Sequence, residues 1–257
     1  MARWARFRTF KGRVGFGMVE EGVILEYDGG MFEIPIITGR EIALDACSLL
    51  APCVPTKIVA LWNNFYALAA RLGKPPPAHP LFFLKSSSSL AGMHEPIERP
   101  CGYAGKIVFE GELGIVIGKT CRGVSISAAA DHIFGYTCVN DVTAIDLLGE
   151  NPDFPQWARA KSFDTFGCLG PVIATDFDWA SGRVLARLDG IERQDYFLAD
   201  MIFNPYELVS RISYDLTLAP GDVIACGTSL GVGSIKKGVV VEIEVPGIGV
   251  LSNRLAG

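Results

Sequence analysis

A membrane span needs roughly 18 continuous apolar residues, and no run in this sequence of 257 residues approaches that. Basic clusters are equally scarce: 23 Lys and Arg stand against 28 Asp and Glu, the formal net charge is -5, and no Lys/Arg run exceeds a scattered pair. A membrane protein and a nucleic-acid binder that grips phosphates are both disfavoured. No CxxC occurs among Cys47, Cys53, Cys101, Cys121, Cys138, Cys168 and Cys226, which lie far apart and are odd in number. Buried, reduced thiols in a cytoplasmic protein are therefore expected rather than a disulfide framework. The basic opening, Met1 to Arg8, has no apolar stretch behind it and reads as a strand, not a secretory signal. What is present is a globular composition, 49% hydrophobic and 20% charged, which excludes a disordered chain or a highly charged coiled coil.

The length suits one large domain or a small module plus a larger one. Residues 13–19, 23–27 and 31–36 are β-type runs separated by glycine-rich turns, so residues 1–55 read as a small N-terminal β module. A short helix is expected within residues 37–51, then a linker between Pro52 and Pro55. The main domain, residues 56–257, opens with a buried strand over residues 57–61. Asn63 is placed to cap a helix reaching Leu72, with Gly73 and three prolines ending it. Further strands are expected at 81–84, 107–117, 133–139, 171–174, 184–188, 222–226 and 239–245, and helices at 127–132 and 205–213. Ser86 to Ser89 reads as a polar turn. Few helices, 29 glycines and no βαβ alternation predict a mostly β, α+β fold.

Three segments carry candidate chemistry. In Phe109-Glu110-Gly111-Glu112-Leu113 the two glutamates share a strand face, because i and i+2 point the same way. Adjacent carboxylates repel, so a hard cation such as Mg²⁺ between them is one explanation; an exposed strand end is the other. Asp141 closes the apolar run 134–139 and reads either as a turn former or as a third ligand. Three carboxylates would fill about half of an octahedral shell and leave room for water and a chelating substrate. Lys161 lies in an aromatic-rich segment, as a paired or functional lysine or as a surface one. The glycine-rich loop 226–233 lacks the Gly-Lys-Ser/Thr ending of a phosphate loop.

Taken in order, Phe83-Leu84-Lys85, Glu110-Gly111-Glu112-Leu113, Gly135-Tyr136-Thr137 with Asn140-Asp141, Gln156-Trp157 with Lys161-Ser162-Phe163-Asp164-Thr165-Phe166, Asp200-Met201-Ile202-Phe203, Pro220-Gly221-Asp222-Val223-Ile224 with Gly227-Thr228, and 247–254 closely resemble the fumarylacetoacetate hydrolase family. The resemblance implies a mixed β-roll, a homodimer, and Mg²⁺ or Mn²⁺ on three carboxylates that fall on Glu110, Glu112 and Asp141. It puts the active-site lysine on Lys161, a substrate-contacting threonine on Thr228, and a lysine near the pocket on Lys85. Members hydrolyse, decarboxylate or isomerise 2-oxo, 1,3-dioxo or enol acids, several of them in aromatic catabolism, through an enolate held by the metal.

Two departures bear on the reaction. Many members carry a His and, three residues later, a Glu that activate water; here those positions hold Leu68 and Arg71. Two positions that contact substrate oxygens in many members hold Ile145 and Leu148. The expected activity is therefore isomerisation, tautomerisation or decarboxylation of a small 2-oxo or enol (di)carboxylic acid, as in the isomerase-like members. Arg71 is a candidate to hold a substrate carboxylate. The alternatives are C–C hydrolysis with a non-standard base, for which His94 is a better candidate than His79 or His132, and a binding protein that has lost catalysis.

Overall fold

The computed structural model describes residues 1–256. Strands dominate, and the only α-helices among the described residues are Tyr66–Arg71, Trp157–Lys161 and Pro205–Asp215. The mostly β, α+β class is thus the one observed. The spine is a twelve-stranded sheet whose main path runs Ile36–Ala43, Val23–Asp28, Val14–Glu20, Arg3–Thr9, Gly167–Ala174, Ile133–Asp141, Gly111–Ile117, Val223–Ala225, Ile58–Trp62 and Leu81–Lys85. Over its centre lies a four-stranded sheet ordered Ile191–Phe197, Arg183–Leu188, Val240–Val245 and Gly249–Arg254. Gly111–Ile117 is consequently buried at every position, which is why it reads as a near-continuous apolar run.

The first strands are continuous with the rest of the sheet. Arg3 pairs with Ala174 and Trp4 with Ile173. The Trp4 ring lies against Phe16, Tyr27 and Phe134 at centroid distances of 6.2, 5.0 and 6.1 Å, so one indole joins side chains of both segments.

Five local expectations are corrected. Residues 31–36 are not a strand and 37–51 hold no α-helix: the strand is Ile36–Ala43, followed by a 3₁₀ turn at Leu44–Ala46 and a strand at Cys47–Leu49. β-Branched Ile36, Ile37, Thr38 and Ile42 favour an extended chain, and pairing along Val23–Asp28 satisfies its backbone. Asn63 does not cap the helix after it. It adopts a left-handed φ of 56°; the helix starts at Tyr66, and Asp200 Oδ2 accepts the Ala67 N–H at 3.0 Å. The run 107–117 is two strands, Ile107–Phe109 and Gly111–Ile117, divided at Glu110. Glu110 is where the chain passes from a small three-stranded sheet into the large one. Residues 127–132 belong to a 3₁₀ segment, Ile126–His132, rather than an α-helix.

All seven cysteines are free, six of them buried and Cys101 exposed. No helix among the described residues is long and apolar enough to cross a membrane.

Candidate active site

Strand register assembles the acidic groups. Gly111 lies opposite Asn140 and Glu112 opposite Val139 in the antiparallel pair. At the end of that pair the Asp141 N–H donates to the Glu110 carbonyl at 2.9 Å, and the Glu110 N–H donates to Asn140 Oδ1 at 3.2 Å. One carboxylate oxygen from each of Glu110, Glu112 and Asp141 then lies within 4.8 Å of the others. The spacing within the Glu pair supplies two of these groups, and the β-ladder the third.

Gly111, between the two glutamates, is held on both backbone groups. Its N–H donates to Gln194 Oε1 at 2.9 Å, while its carbonyl accepts from Tyr196 Oη at 2.6 Å and Thr228 Oγ1 at 2.9 Å. Gln194 Nε2 also donates to Thr228 Oγ1 at 2.9 Å. Gln194 and Tyr196 are absent from the sequence reading because charged outward neighbours, Glu192, Arg193 and Asp195, hide their strand; their signal is alternate burial along Ile191–Phe197.

The charges are unevenly matched. Asp141, fully buried, accepts from Lys85 Nζ at 2.5 Å and from Lys161 Nζ at 2.6 Å. Lys161 Nζ also reaches Glu110 Oε2 at 2.9 Å, and Thr143 Oγ1 donates to Glu110 Oε1 at 3.0 Å. Glu112 is fully buried, and among the described residues its Oε2 accepts only the Gly227 N–H, at 2.8 Å. Its Oε1 has no partner among the described residues. Two ammoniums against three carboxylates leave one negative charge in excess, and it falls on Glu112.

The proton affinities follow. Burial, then the charges of Asp141 and Glu110, push the Glu112 carboxyl well above the usual range. Burial also raises Glu110, against the pull of Lys161. Burial alone would raise Asp141, but Lys161 and Lys85 outweigh it and hold this carboxyl low. Burial would lower Lys161, yet Asp141, Glu110 and Glu112 together raise it. Lys85 is lowered, by burial first and by the neighbouring Lys161 charge, with Asp141 offsetting only part.

Each lysine is placed by a short element. Lys85 ends the strand Leu81–Lys85, and Lys161 ends the helix Trp157–Lys161. Lys85 Nζ also donates to the Lys161 carbonyl, placing a cation at the helix C-terminus. The Phe83 ring centroid lies 5.4 Å from Lys161 Nζ.

Not every candidate joins this cluster. Arg71 is exposed and has no hydrogen bond or ion pair to the acidic groups among the described residues. Leu68 packs against the main apolar core. His79 and His94 are exposed, and His132 reaches only the Lys119 carbonyl, at 3.3 Å. Asn64 and Asp200 are scaffold. Asn64 Nδ2 donates to the Cys226 carbonyl at 2.9 Å and the Phe203 carbonyl at 3.2 Å, while Asp200 caps the helix carrying Leu68 and Arg71.

The donor set suits a hard divalent cation: all three groups are carboxylates, they converge, and a buried oxygen of one is orphaned. Comparison with known proteins agrees. The family model described as fumarylacetoacetate (FAA) hydrolase C-terminal matches residues 57–256, and one described as Rv2993c-like, N-terminal, matches residues 2–52. An uncharacterized protein of Archaeoglobus fulgidus is 42% identical over 240 residues, 93% of each chain. The crystal structure of 2-hydroxyhepta-2,4-diene-1,7-dioate isomerase from Mycobacterium marinum matches at a TM-score of 0.90 and 36% identity, covering 100% of this chain and 98% of that one. Maleylpyruvate hydrolase from Sphingobium sp. SYK-6, in complex with manganese(II) and pyruvate, matches at a TM-score of 0.78 and 27% identity over 99% and 98% of the two chains. The segment that supplies the carboxylates and both lysines lies wholly within the first family match, and an isomerase and a hydrolase share its fold; the chain belongs to the fumarylacetoacetate hydrolase family.

Proposed function

We propose that the protein is a divalent-metal-dependent enzyme that isomerises, tautomerises or decarboxylates a small 2-oxo or enol acid through an enolate. The observation that carries this reading is Glu112 Oε1, buried without a partner beside two further carboxylates. An uncompensated buried charge is costly to keep unless something binds there. Glu110, Glu112 and Asp141 would hold Mg²⁺ or Mn²⁺, which when bound acts as a Lewis acid on the substrate oxygens.

The chain's own groups supply the rest. Lys161 keeps its proton and borders the same space as Glu110 and Asp141. Its charge stabilises the oxygen that turns negative when a bond beside the carbonyl breaks, and its proton is available to the carbon that is reprotonated. Lys85 positions Lys161 through the Lys161 carbonyl and neutralises Asp141. Thr228 is assigned to substrate contact; its hydroxyl is engaged with Gly111 and Gln194, so that contact exchanges one of these bonds. Arg71 is assigned to a substrate carboxylate, which Arg71→Ala tests by raising KM at constant kcat.

Hydrolysis needs a base that makes hydroxide, worth about 10²–10⁴-fold in rate. Leu68 offers none, and no histidine hydrogen-bonds to the carboxylates. C–C hydrolysis therefore ranks second, and a non-catalytic binding role third. A homodimer and a cytoplasmic location complete the reading, the latter supported by seven unpaired cysteines.

The test is a panel of acylpyruvates, oxaloacetate and unsaturated 2-hydroxy dioates, with Mn²⁺ or with chelator. Metal-dependent proton exchange, isomerisation or CO₂ loss should exceed acylpyruvate cleavage. Lys161→Met should lower that turnover by about 10²-fold or more while calorimetry shows Mn²⁺ still bound. Fast acylpyruvate hydrolysis with label from ¹⁸O water in the product carboxylate would overturn the preferred reaction, and enol decay indifferent to both protein and metal would favour the binding role.

A further inference from the structure

An apolar cavity of about 660 Å³ lies beside the strand and helix that end in Lys85 and Lys161, and Phe83, one of its lining residues, has its ring centroid 5.4 Å from Lys161 Nζ. That volume falls within the range of about 300–1,000 Å³ that small-molecule sites occupy. Trp62, Leu81, Phe83, Leu148, Pro155 and Trp157 are among its walls. The two elements that carry the lysines also build these walls. Phe83 and Lys85 share a face of one strand, and Trp157 and Lys161 lie one helical turn apart. Phe83 and Trp157 stack at 5.5 Å with 23° between their planes, and Trp62 lies 5.6 Å from Trp157. A helical turn rises about 5.4 Å, so the Trp157 wall of the cavity and Lys161 of the cluster are separated by one turn of the same helix.

We infer that the cavity is the subsite for the distal end of the substrate and that this end is an aryl or bulky alkyl group rather than a second carboxylate. The inference rests on the 2-oxo or enol acid reading above and specifies its substrate class. Every residue lining the cavity is Trp, Phe, Leu or Pro, so a carboxylate placed inside loses its water and gains no cation. An aromatic ring there meets a wall that contains four aromatic side chains, Trp62, Phe82, Phe83 and Trp157. The competing arrangement uses Lys74, whose Nζ stands 5.8 Å from the Trp62 ring centroid. Lys74 is exposed, and so is Arg71, the residue assigned above to a substrate carboxylate; pairing with a distal carboxylate is weak at either, so an aryl or alkyl end displaces that assignment of Arg71.

Three inert ligands with one chelating head separate the cases: oxamate, N-phenyloxamate and N-oxalylglycine, whose tails are a hydrogen, a phenyl ring and a carboxylate. Calorimetry with the Mn²⁺-loaded protein should find N-phenyloxamate at least about tenfold tighter than the other two, with quenching of tryptophan fluorescence. Leu148→Arg, on the cavity wall, should reverse the order of the tailed ligands, so that N-oxalylglycine binds more tightly than N-phenyloxamate. Oxamate binding without a phenyl preference, or with N-oxalylglycine tightest, overturns the subsite and leaves the proposed function standing. Failure of all three to bind the Mn²⁺-loaded protein overturns both. Loss of self-association in Leu148→Arg, with no phenyl preference in the unmodified protein, assigns the cavity to contact with a second copy and also overturns the subsite.

Discussion

On the proposed reading the chemistry turns on Glu112, which alone among the three acids lacks an ammonium. Glu112→Gln keeps the shape and can still accept the Gly227 N–H, but removes the charge. The variant should bind Mn²⁺ about 10–100-fold more weakly, and the rise in melting temperature that Mn²⁺ gives the unmodified protein should disappear. The sign of the pH effect follows from the raised carboxyl. A group that holds its proton more tightly when folded stabilises fully below its ordinary value near 4.5, and that contribution is lost as pH climbs through the higher folded value. Metal-free protein should therefore lose stability as pH rises above about 4.5, and Glu112→Gln should flatten this part of the curve in denaturant titrations. Asp141 acts oppositely: its contribution is present above its ordinary value near 3.8 and fades as pH falls below it.

At the scale of single elements, the helix Tyr66–Arg71 depends on a group far away in sequence. Asp200→Ala, which removes the acceptor for the Ala67 N–H, should cost about 1 kcal/mol, seen as a lower urea midpoint at unchanged m-value. That distant cap explains why the helix start is misread from local sequence. Asn63 has the right chemistry for a cap and sits just before the apolar stripe, but a tertiary contact decides. The Glu110 and Glu112 pair is legible because its spacing is local. The approach of Asp141 is a matter of register between strands, which no local pattern encodes; the residues leave it as a turn former or a third ligand, and the family resemblance chooses the ligand. Gln194 and Tyr196 escape both routes, since they serve the site by gripping Gly111 rather than by facing it. The long buried strands are found because burial on both faces leaves near-continuous apolar runs, although the same continuity hides the break at Glu110. Residues 37–43 are misassigned because an edge strand with few buried positions carries little of that signal.

Across the whole molecule, the large sheet makes the site a product of distant segments. Arg3–Thr9 braces Gly167–Ala174, which pairs with Ile133–Asp141, which in turn pairs with the strand behind Glu112. Paired strands carry the scaffold, and the acidic cluster already holds two ammoniums in place. Small metal-dependent domains commonly unfold when their ion is stripped, because the ion is their core. Here the lysines act as resident counter-ions. Chelation should abolish turnover yet leave the far-ultraviolet circular dichroism unchanged and unfolding cooperative, and re-addition of Mn²⁺ should restore activity without a refolding step. The feature that makes this so is Asp141 shared between Lys85 and Lys161. On the proposed reading this sharing makes the ion an exchangeable reagent rather than a structural necessity, so that metal supply would switch the protein off and on while the folded chain persists.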